Sequence, residues 1–298
     1  PSACRYGVVA AGVAGDMLGG VPVSGIAGDQ QAALFGHGCY SPGDTKVTYG
    51  TGSFLLMNLG GKAPPPPEGL LTTVAWDLGE HATPGGSGGF SYALEGAIFS
   101  SGATIQWLRD GLGLIDAAAE TGPLAAEIPD NDGVYLIPAF VGLGSPWWDP
   151  DARGTIVGIT RGTGRAHFAR AALEAIAYQC RDVLEAMAQV AGRSPSRLRA
   201  DGGAAAMDLL LQFQADQCGV TVTRPRSREV TALGAAMLAG LAEGVWGSLE
   251  DLENLTSGDG ELFEPSPRRG RADADYAGWQ GALGRARHWE DPAEPGNG

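Results

Sequence analysis

Lysine is almost missing from this chain. Of its 20 basic residues only Lys46 and Lys62 are lysines, and 34 acidic residues bring the formal net charge to −14. A surface this acidic repels phosphate backbones and anionic headgroups, which argues against nucleic-acid or membrane-surface binding as a principal role. Cysteine is sparse and scattered, at Cys4, Cys39, Cys180 and Cys218. No pair has C-x-x-C spacing and no His-x-x-x-His accompanies them, so free thiols are expected rather than a zinc site or a disulfide framework. No apolar run approaches 18 residues, so no membrane span is expected. The N-terminus carries no basic-then-apolar leader, and a cytoplasmic location is expected. The initiator is missing too: the chain opens Pro1-Ser2-Ala3-Cys4 and its first methionine is Met17. It reads as a piece of a longer polypeptide or as a processed chain. There is no internal repeat.

What the chain has in excess is glycine, 48 of 298 residues, about twice the average share. Without a collagen-like period, glycine at this density marks tight turns and close approaches of backbone to backbone. A hydrophobic content of 44% suffices for a globular core. In the first half, Val21–Ile26, Thr45–Tyr49, Ser53–Asn58, Leu70–Trp76 and Phe90–Leu94 read as strands, with a hairpin turn at Gly50-Thr51-Gly52. Gln30–Phe35 and Ala97–Leu108 read as helices. Pro64–Pro67 is an extended connection, and residues 85–89 form a glycine-rich loop.

The second half alternates. Strands are expected at Val134–Phe140, Gly154–Thr160, Arg197–Ala200 and Val220–Thr223. Helices are expected at His167–Ala191, Ala204–Cys218 and Glu229–Leu241. The first of these carries Phe168, Ala172, Ile176, Cys180, Leu184 and Met187 on one stripe. Such alternation predicts an α/β fold, a sheet with helices on its faces. After about Phe263 the chain turns polar, with one helix expected around Tyr276–Trp289 and a disordered end at Pro292–Gly298.

Three loops can carry chemistry. In Gly28-Asp29-Gln30-Gln31 a strand meets a helix. A carboxylate there either caps the helix or stands ionised in a site, and the two adjacent amides suit a polyhydroxylated ligand. In Gly50-Thr51-Gly52, two glycines let backbone N–H groups approach a phosphate and the hydroxyl adds a bond; the alternative is a plain hairpin turn. In Asp201-Gly202-Gly203-Ala204-Ala205-Ala206, paired glycines end a strand and small residues open a helix. That shape either admits a nucleotide or simply turns the chain. The histidines His37, His81, His167 and His288 lie in unrelated contexts, and the Trp147-Trp148 loop reads as packing.

Taken in order, these loops resemble the FGGY carbohydrate kinase family, and within it the members that phosphorylate glycerol. The likeness is carried by Ile26-Ala27-Gly28-Asp29-Gln30-Gln31-Ala32-Ala33-Leu34-Phe35-Gly36, Tyr49-Gly50-Thr51-Gly52 and Ala103-Thr104-Ile105-Gln106-Trp107. It continues through Gly154-Thr155-Ile156-Val157-Gly158-Ile159, Asp201-Gly202-Gly203-Ala204 and Arg228-Glu229-Val230-Thr231-Ala232-Leu233-Gly234-Ala235-Ala236 to Tyr276-Ala277-Gly278-Trp279.

The resemblance implies an actin-like (ribonuclease H-like) domain with a mixed sheet and helices on both faces. It implies that residues 1–262 are the family's C-terminal domain, that 263–298 are a polar tail, and that the N-terminal domain has no counterpart here. The implied reaction is phosphorylation of glycerol by ATP to sn-glycerol 3-phosphate. Asp29 matches the catalytic base. Gln30 and Phe54 match substrate-pocket residues, an amide for hydroxyls and a ring for the carbon chain. Thr51, Gly102 and Gln106 match ATP contacts, and Gly203 matches a contact in the adenine-nucleotide site. Met207 also falls in that site, and Met207-Asp208 stands where a bacterial member of the family has two asparagines. A thioether cannot donate the bond an amide gives, so base recognition is expected to differ. Mg2+ is implied as cofactor, its ligand lying mainly in the absent domain, and the full-length protein is expected to be a homo-oligomer. The alternatives are a pentulose or gluconate kinase of the same family, or a non-catalytic nucleotide-binding fragment.

Overall fold

The computed structural model describes residues 2–8, 18–65, 67–79, 89–227, 229–256, 260–267 and 269–290. Most of the expected loop at 85–89, Pro66, Met17, His81, Arg228 and the expected disordered end lie outside the described residues. The strands are β1 (Ser2–Val8), β2 (Pro22–Ile26), β3 (Thr45–Tyr49), β4 (Ser53–Gly60), β5 (Leu71–Asp77), β6 (Phe90–Ile98), β7 (Tyr135–Ile137), β8 (Thr155–Val157), β9 (Arg197–Gly202), β10 (Thr221–Pro225) and β11 (Gly260–Phe263). The helices are α1 (Asp29–Gly36), α2 (Gly102–Asp110), α3 (Thr121–Ala125), α4 (Arg165–Ala191), α5 (Asp208–Cys218), α6 (Val230–Ala242), α7 (Leu249–Thr256) and α8 (Arg269–Ala286). Among the described residues, one sheet runs in the order β11-β10-β9-β3-β4-β6-β5-β1-β2, and β7 pairs with β8 in a small second sheet. The main sheet is mixed: β3 is antiparallel to β4 and parallel to β9, and β9 is parallel to β10.

The sheet is buried on both faces, which the sequence of β4 makes possible. Ser53-Phe54-Leu55-Leu56-Met57 does not alternate apolar with polar; it is apolar to both sides. Leu55 and Met57 join Val47, Tyr49 and Leu94 beneath α4 and α5, whose Ala172, Ile176, Cys180, Leu210 and Leu211 close that core. Leu56 points the other way, with Ala75, Trp76 and Ala93, against Leu34 and Phe35 of α1 and Met237, Leu238 and Leu241 of α6. A third cluster docks α8: Trp279 stacks on Tyr178 of α4 with ring centroids 5.2 Å apart, and its indole N–H donates to the buried Asp182 over 3.0 Å. Burial pushes the Asp182 carboxyl up to about 6, while donors from Tyr276, Trp279, Trp147 and Gln280 pull it back.

The structure moves several expected boundaries. Ala97 and Ile98 continue β6, because Ile98 pairs with Ser53 at the start of β4, and α2 begins only at Gly102. The expected helix from Ala204 is broken: Gly203–Ala206 is a 3-10 turn, Met207 is extended, and α5 starts at Asp208. β1, α3, α7 and β11 are short elements that the sequence pattern does not separate from loops.

Helices α1 and α6 cross backbone on backbone. A Cβ at Gly234 would lie 1.8 Å from the Ala32 carbonyl oxygen, a clash that only main-chain movement relieves. Gly234→Ala is therefore expected to lower stability by about 3 kcal/mol or more. Gly284→Ala, in α8 with open space where the Cβ would go, is expected to leave stability unchanged or raise it by up to about 1 kcal/mol. Thermal denaturation of the two variants side by side checks this; equal losses would contradict it.

Candidate functional site

Four strands stop together at one end of the sheet, and the loops that leave them meet there. Tyr49, the last residue of β3, pairs with Ser53 of β4 and with Gly202 of β9, and Ser53 pairs with Ile98 of β6. The Gly50–Gly52 turn closes the β3–β4 hairpin directly beside the start of α2. The N–H of Gly102 donates to the Gly50 carbonyl at 3.0 Å, and those of Ser101 and Ala103 donate to the Thr51 carbonyl at 2.9 Å. The approach is too close for side chains: a Cβ at Gly102 would lie 2.6 Å from the Gly50 oxygen, and one at Gly202, where φ is +90°, would lie 2.4 Å from the Tyr49 oxygen. Thr51, Gly102 and Gly203 are thus brought to one rim, and Gln106 stands exposed one turn further along α2.

A cavity of about 750 Å³ opens beside this rim, between the β9 end, the Gly203–Ala206 turn, Arg224–Ser227 at the end of β10, and Gly260-Glu261. A Cβ at Gly203 would meet nothing within 4 Å. Arg224 braces the wall: its guanidinium donates to the Ala205 carbonyl at 2.9 Å and pairs with Asp208 at 2.8 Å and with Glu261. Asp208 thereby has a structural partner. Met207 sits at the N-terminal boundary of α5, half-buried.

Asp29 opens α1. Gly28, not Asp29, holds the N-cap position, and the Asp29 carboxylate accepts the backbone N–H of Gln30 at 2.8 Å, one of the free donors at a helix start. Its other oxygen accepts from the Gln30 side-chain amide at 3.3 Å. Asp29 remains exposed. Gln30 in turn is tied to the sheet: its amide oxygen accepts from Lys46 of β3, whose ammonium also donates to Thr48 Oγ1 at 2.9 Å and to the Phe54 carbonyl at 3.5 Å. Asp29, Gln30 and Phe54 therefore come together, with the Phe54 ring 36% exposed.

The sequence reading underrates two residues here. Lys46 is 0% exposed, and burial pushes its ammonium down to about 8 although Asp201, Cys39, Glu95 and Asp29 all favour the charged form. Its signal was available: one of only two lysines, set in a strand otherwise apolar or hydroxylic. His37, which the sequence leaves outside any constellation, lies at the far end of α1 with Nε2 3.3 Å from Asp201 Oδ2. Burial pushes His37 down, so it stands neutral. Burial also opposes the charge on Asp201, but the neighbouring His37, Thr48 and Lys46 outweigh it and hold that carboxyl below the usual range. No group of three metal-ligating side chains occurs among the described residues, and no helix among them is long and apolar enough to cross a membrane.

The pKa of Lys46 has a thermodynamic consequence. Between about 8 and its ordinary 10.5, the unfolded chain holds a proton that the fold has released, so stability rises with pH across that window. Wild type is expected to gain on Lys46→Met by about 1 kcal/mol per pH unit there. Urea titrations at pH 7 to 10 check it, and a constant difference would contradict it.

The family model of the FGGY carbohydrate kinases, C-terminal domain, matches residues 45–243. Among curated relatives, the glycerol kinase of Symbiobacterium thermophilum is 52% identical over 97% of this chain and 56% of that protein. The glycerol kinase of Pseudomonas savastanoi is 54% identical over 93% of this chain and 54% of its own length. The crystal structure of Plasmodium falciparum glycerol kinase with ADP superposes with a TM-score of 0.87 at 34% identity, over 96% of this chain and 55% of that one. The xylulose kinase of Rhodospirillum rubrum gives 0.75 at 27% identity, over 96% and 57%. The chain spans about half the length of the curated relatives it matches. Its α/β architecture, a mixed sheet covered by helices on both faces, is the actin-like fold of these kinases.

Proposed function

The chain belongs to the FGGY family of carbohydrate kinases, and on that premise we propose that it supplies the C-terminal half of the active site of an enzyme that phosphorylates glycerol with ATP to sn-glycerol 3-phosphate. The observation that carries this reading is the junction at one sheet end of an exposed carboxylate (Asp29), an amide and a ring (Gln30, Phe54), and glycine turns beside a large cavity. On this reading residues 1–262 form the body of the domain, and the tail from 263 carries α8 back onto α4.

Asp29 accepts the proton of the substrate hydroxyl as its oxygen attacks the γ-phosphorus. The carboxylate is suited to this because it is exposed and sits at a helix start, where it already accepts two N–H bonds from Gln30. Phosphoryl transfer is mostly positioning and charge stabilisation, and a base adds a modest share. Gln30 meets substrate hydroxyls and the exposed Phe54 ring lies along the carbon chain. The Gly50–Gly52 turn and its Thr51 hydroxyl face the phosphates beside Gly102, whose own N–H is held by the Gly50 carbonyl, with Gln106 beyond them on α2. The base and ribose lie in the cavity by Gly203 and Met207. The Met207 sulfur offers no donor, so the base is held there by shape more than by a hydrogen bond. Mg2+ takes few dedicated protein ligands and keeps phosphate and water oxygens. A cleft with one carboxylate rather than a cluster fits it, and its protein ligand would come mainly from the half of the relatives that this chain does not match. When bound, the ion neutralises phosphate charge. A cytoplasmic, homo-oligomeric full-length enzyme completes the reading.

The test is a substrate panel of glycerol, dihydroxyacetone, xylulose and gluconate on the full-length protein. Glycerol is expected to give the highest kcat/KM; preference for xylulose or gluconate would replace this reading with another kinase of the same family. In that protein, Asp29→Asn is expected to lower turnover by at least ~10²-fold with nucleotide binding retained, and an unchanged rate would reduce Asp29 to a helix-terminal residue. Residues 1–298 alone are expected to show no glycerol-dependent ADP release.

A further inference from the structure

The proposed mechanism does not use the buried charge beneath it. Lys46 has no exposed surface, and an ammonium in such a place is costly unless its environment compensates it. Three acceptors do so: the Gln30 amide oxygen, Thr48 Oγ1 at 2.9 Å and the Phe54 carbonyl at 3.5 Å. Two of the three belong to residues assigned to the substrate pocket.

The chemistry of the bond to Gln30 is directional. A glutamine amide can present its oxygen or its NH2 to a neighbour, and nothing in its shape decides between them. An ammonium only donates, so it captures the oxygen and turns the NH2 the other way. That NH2 donates to Asp29 Oδ2 at 3.3 Å. The same helix is held at its other end by His37 against Asp201 on β9, and Asp201 pairs with Thr48 across the β3–β9 ladder. The charged and titratable groups around Lys46 are thus Asp29 and His37 from α1, Cys39 after it, Glu95 of β6, and Arg199 and Asp201 of β9.

We infer that Lys46 is a positioning residue for substrate recognition: it fixes the Gln30 amide with its N–H donors toward Asp29 and the pocket, so that a substrate hydroxyl accepts from Gln30 while it donates to Asp29. The inference rests on the proposed polyol kinase reading and goes beyond it. It specifies the polarity of the pocket and gives the buried ammonium a function other than packing. On this inference Lys46 acts on substrate through the Gln30 amide and not on the nucleotide.

A double-mutant cycle on the full-length protein tests it, with KM measured separately for glycerol and ATP. Lys46→Met and Gln30→Ala are each expected to lower kcat/KM for glycerol by roughly 10-fold to 100-fold, with KM for ATP within about twofold of wild type. The double variant is expected to be no worse than the poorer single variant, within about threefold, because Lys46 has nothing left to orient once the amide is gone. Multiplied losses, an equal rise in the KM for ATP, or an unchanged Lys46→Met enzyme would each overturn the inference. If Lys46→Met does not fold, Lys46→Gln is measured in its place against the same criteria. A wild type without activity on any polyol overturns the underlying reading; an active wild type with multiplied losses overturns only the role of Lys46.

Discussion

Backbone-on-backbone contact at one end of the sheet is the constraint on which the site depends. Gly102 and Gly202 bring the α2 start and the β9 end against the Gly50 and Tyr49 carbonyls at distances that exclude a Cβ. The strand ends can therefore converge without side chains filling the space between them. What that leaves is a rim of glycine turns and small groups beside an open cavity, the arrangement that suits phosphate oxygens and a flat base. The abundance of glycine in the composition has its local explanation here and at the α1–α6 crossing.

Polar groups do the complementary work under α1. The helix is anchored at its start through Gln30 to Lys46 and at its end through His37 to Asp201. Both anchors lie on the face of β3 and β9 opposite the Val47–Tyr49 core. A charged pair of strands thus supports the helix that carries Asp29, while the apolar side of the same strands packs against α4 and α5. The turn that carries Thr51 leaves β3 and the turn that carries Gly203 leaves β9, so the strands under α1 also fix where both turns begin.

Much of this was legible in the residues. The hairpin around Thr51, the helix after Asp29, the long helix ending at Ala191 and the strand into Asp201 follow from glycine placement and apolar periodicity. The loop motifs, taken in order, carry the family resemblance. Other features were not legible because their cause is tertiary. Ala97 and Ile98 have helix-compatible sequence, yet ladder pairing to Ser53 makes them strand. Ala204–Ala206 reads as helix, yet the turn at Gly202 and the extended Met207 interrupt it. The partners of Lys46 lie 16 residues before it and 2 and 8 residues after it, and those of His37 are further away still. Strand spacing and hairpin register account for Thr48 and Phe54; only the crossing of α1 over β3 and β9 brings Gln30 to Lys46 and His37 to Asp201.

The central claim is that the Asp29 carboxylate faces the reacting alcohol across from a triphosphate held by the glycine rim. The most direct measurement is a crystal structure of the full-length protein with glycerol and a non-hydrolysable ATP analogue. The account predicts an Asp29 oxygen within hydrogen-bond reach, about 2.6–3.2 Å, of a glycerol hydroxyl, with the analogue's phosphates against Thr51 and Gly102 and its base beside Gly203. Glycerol bound elsewhere, with Asp29 engaged only by Gln30, would contradict it.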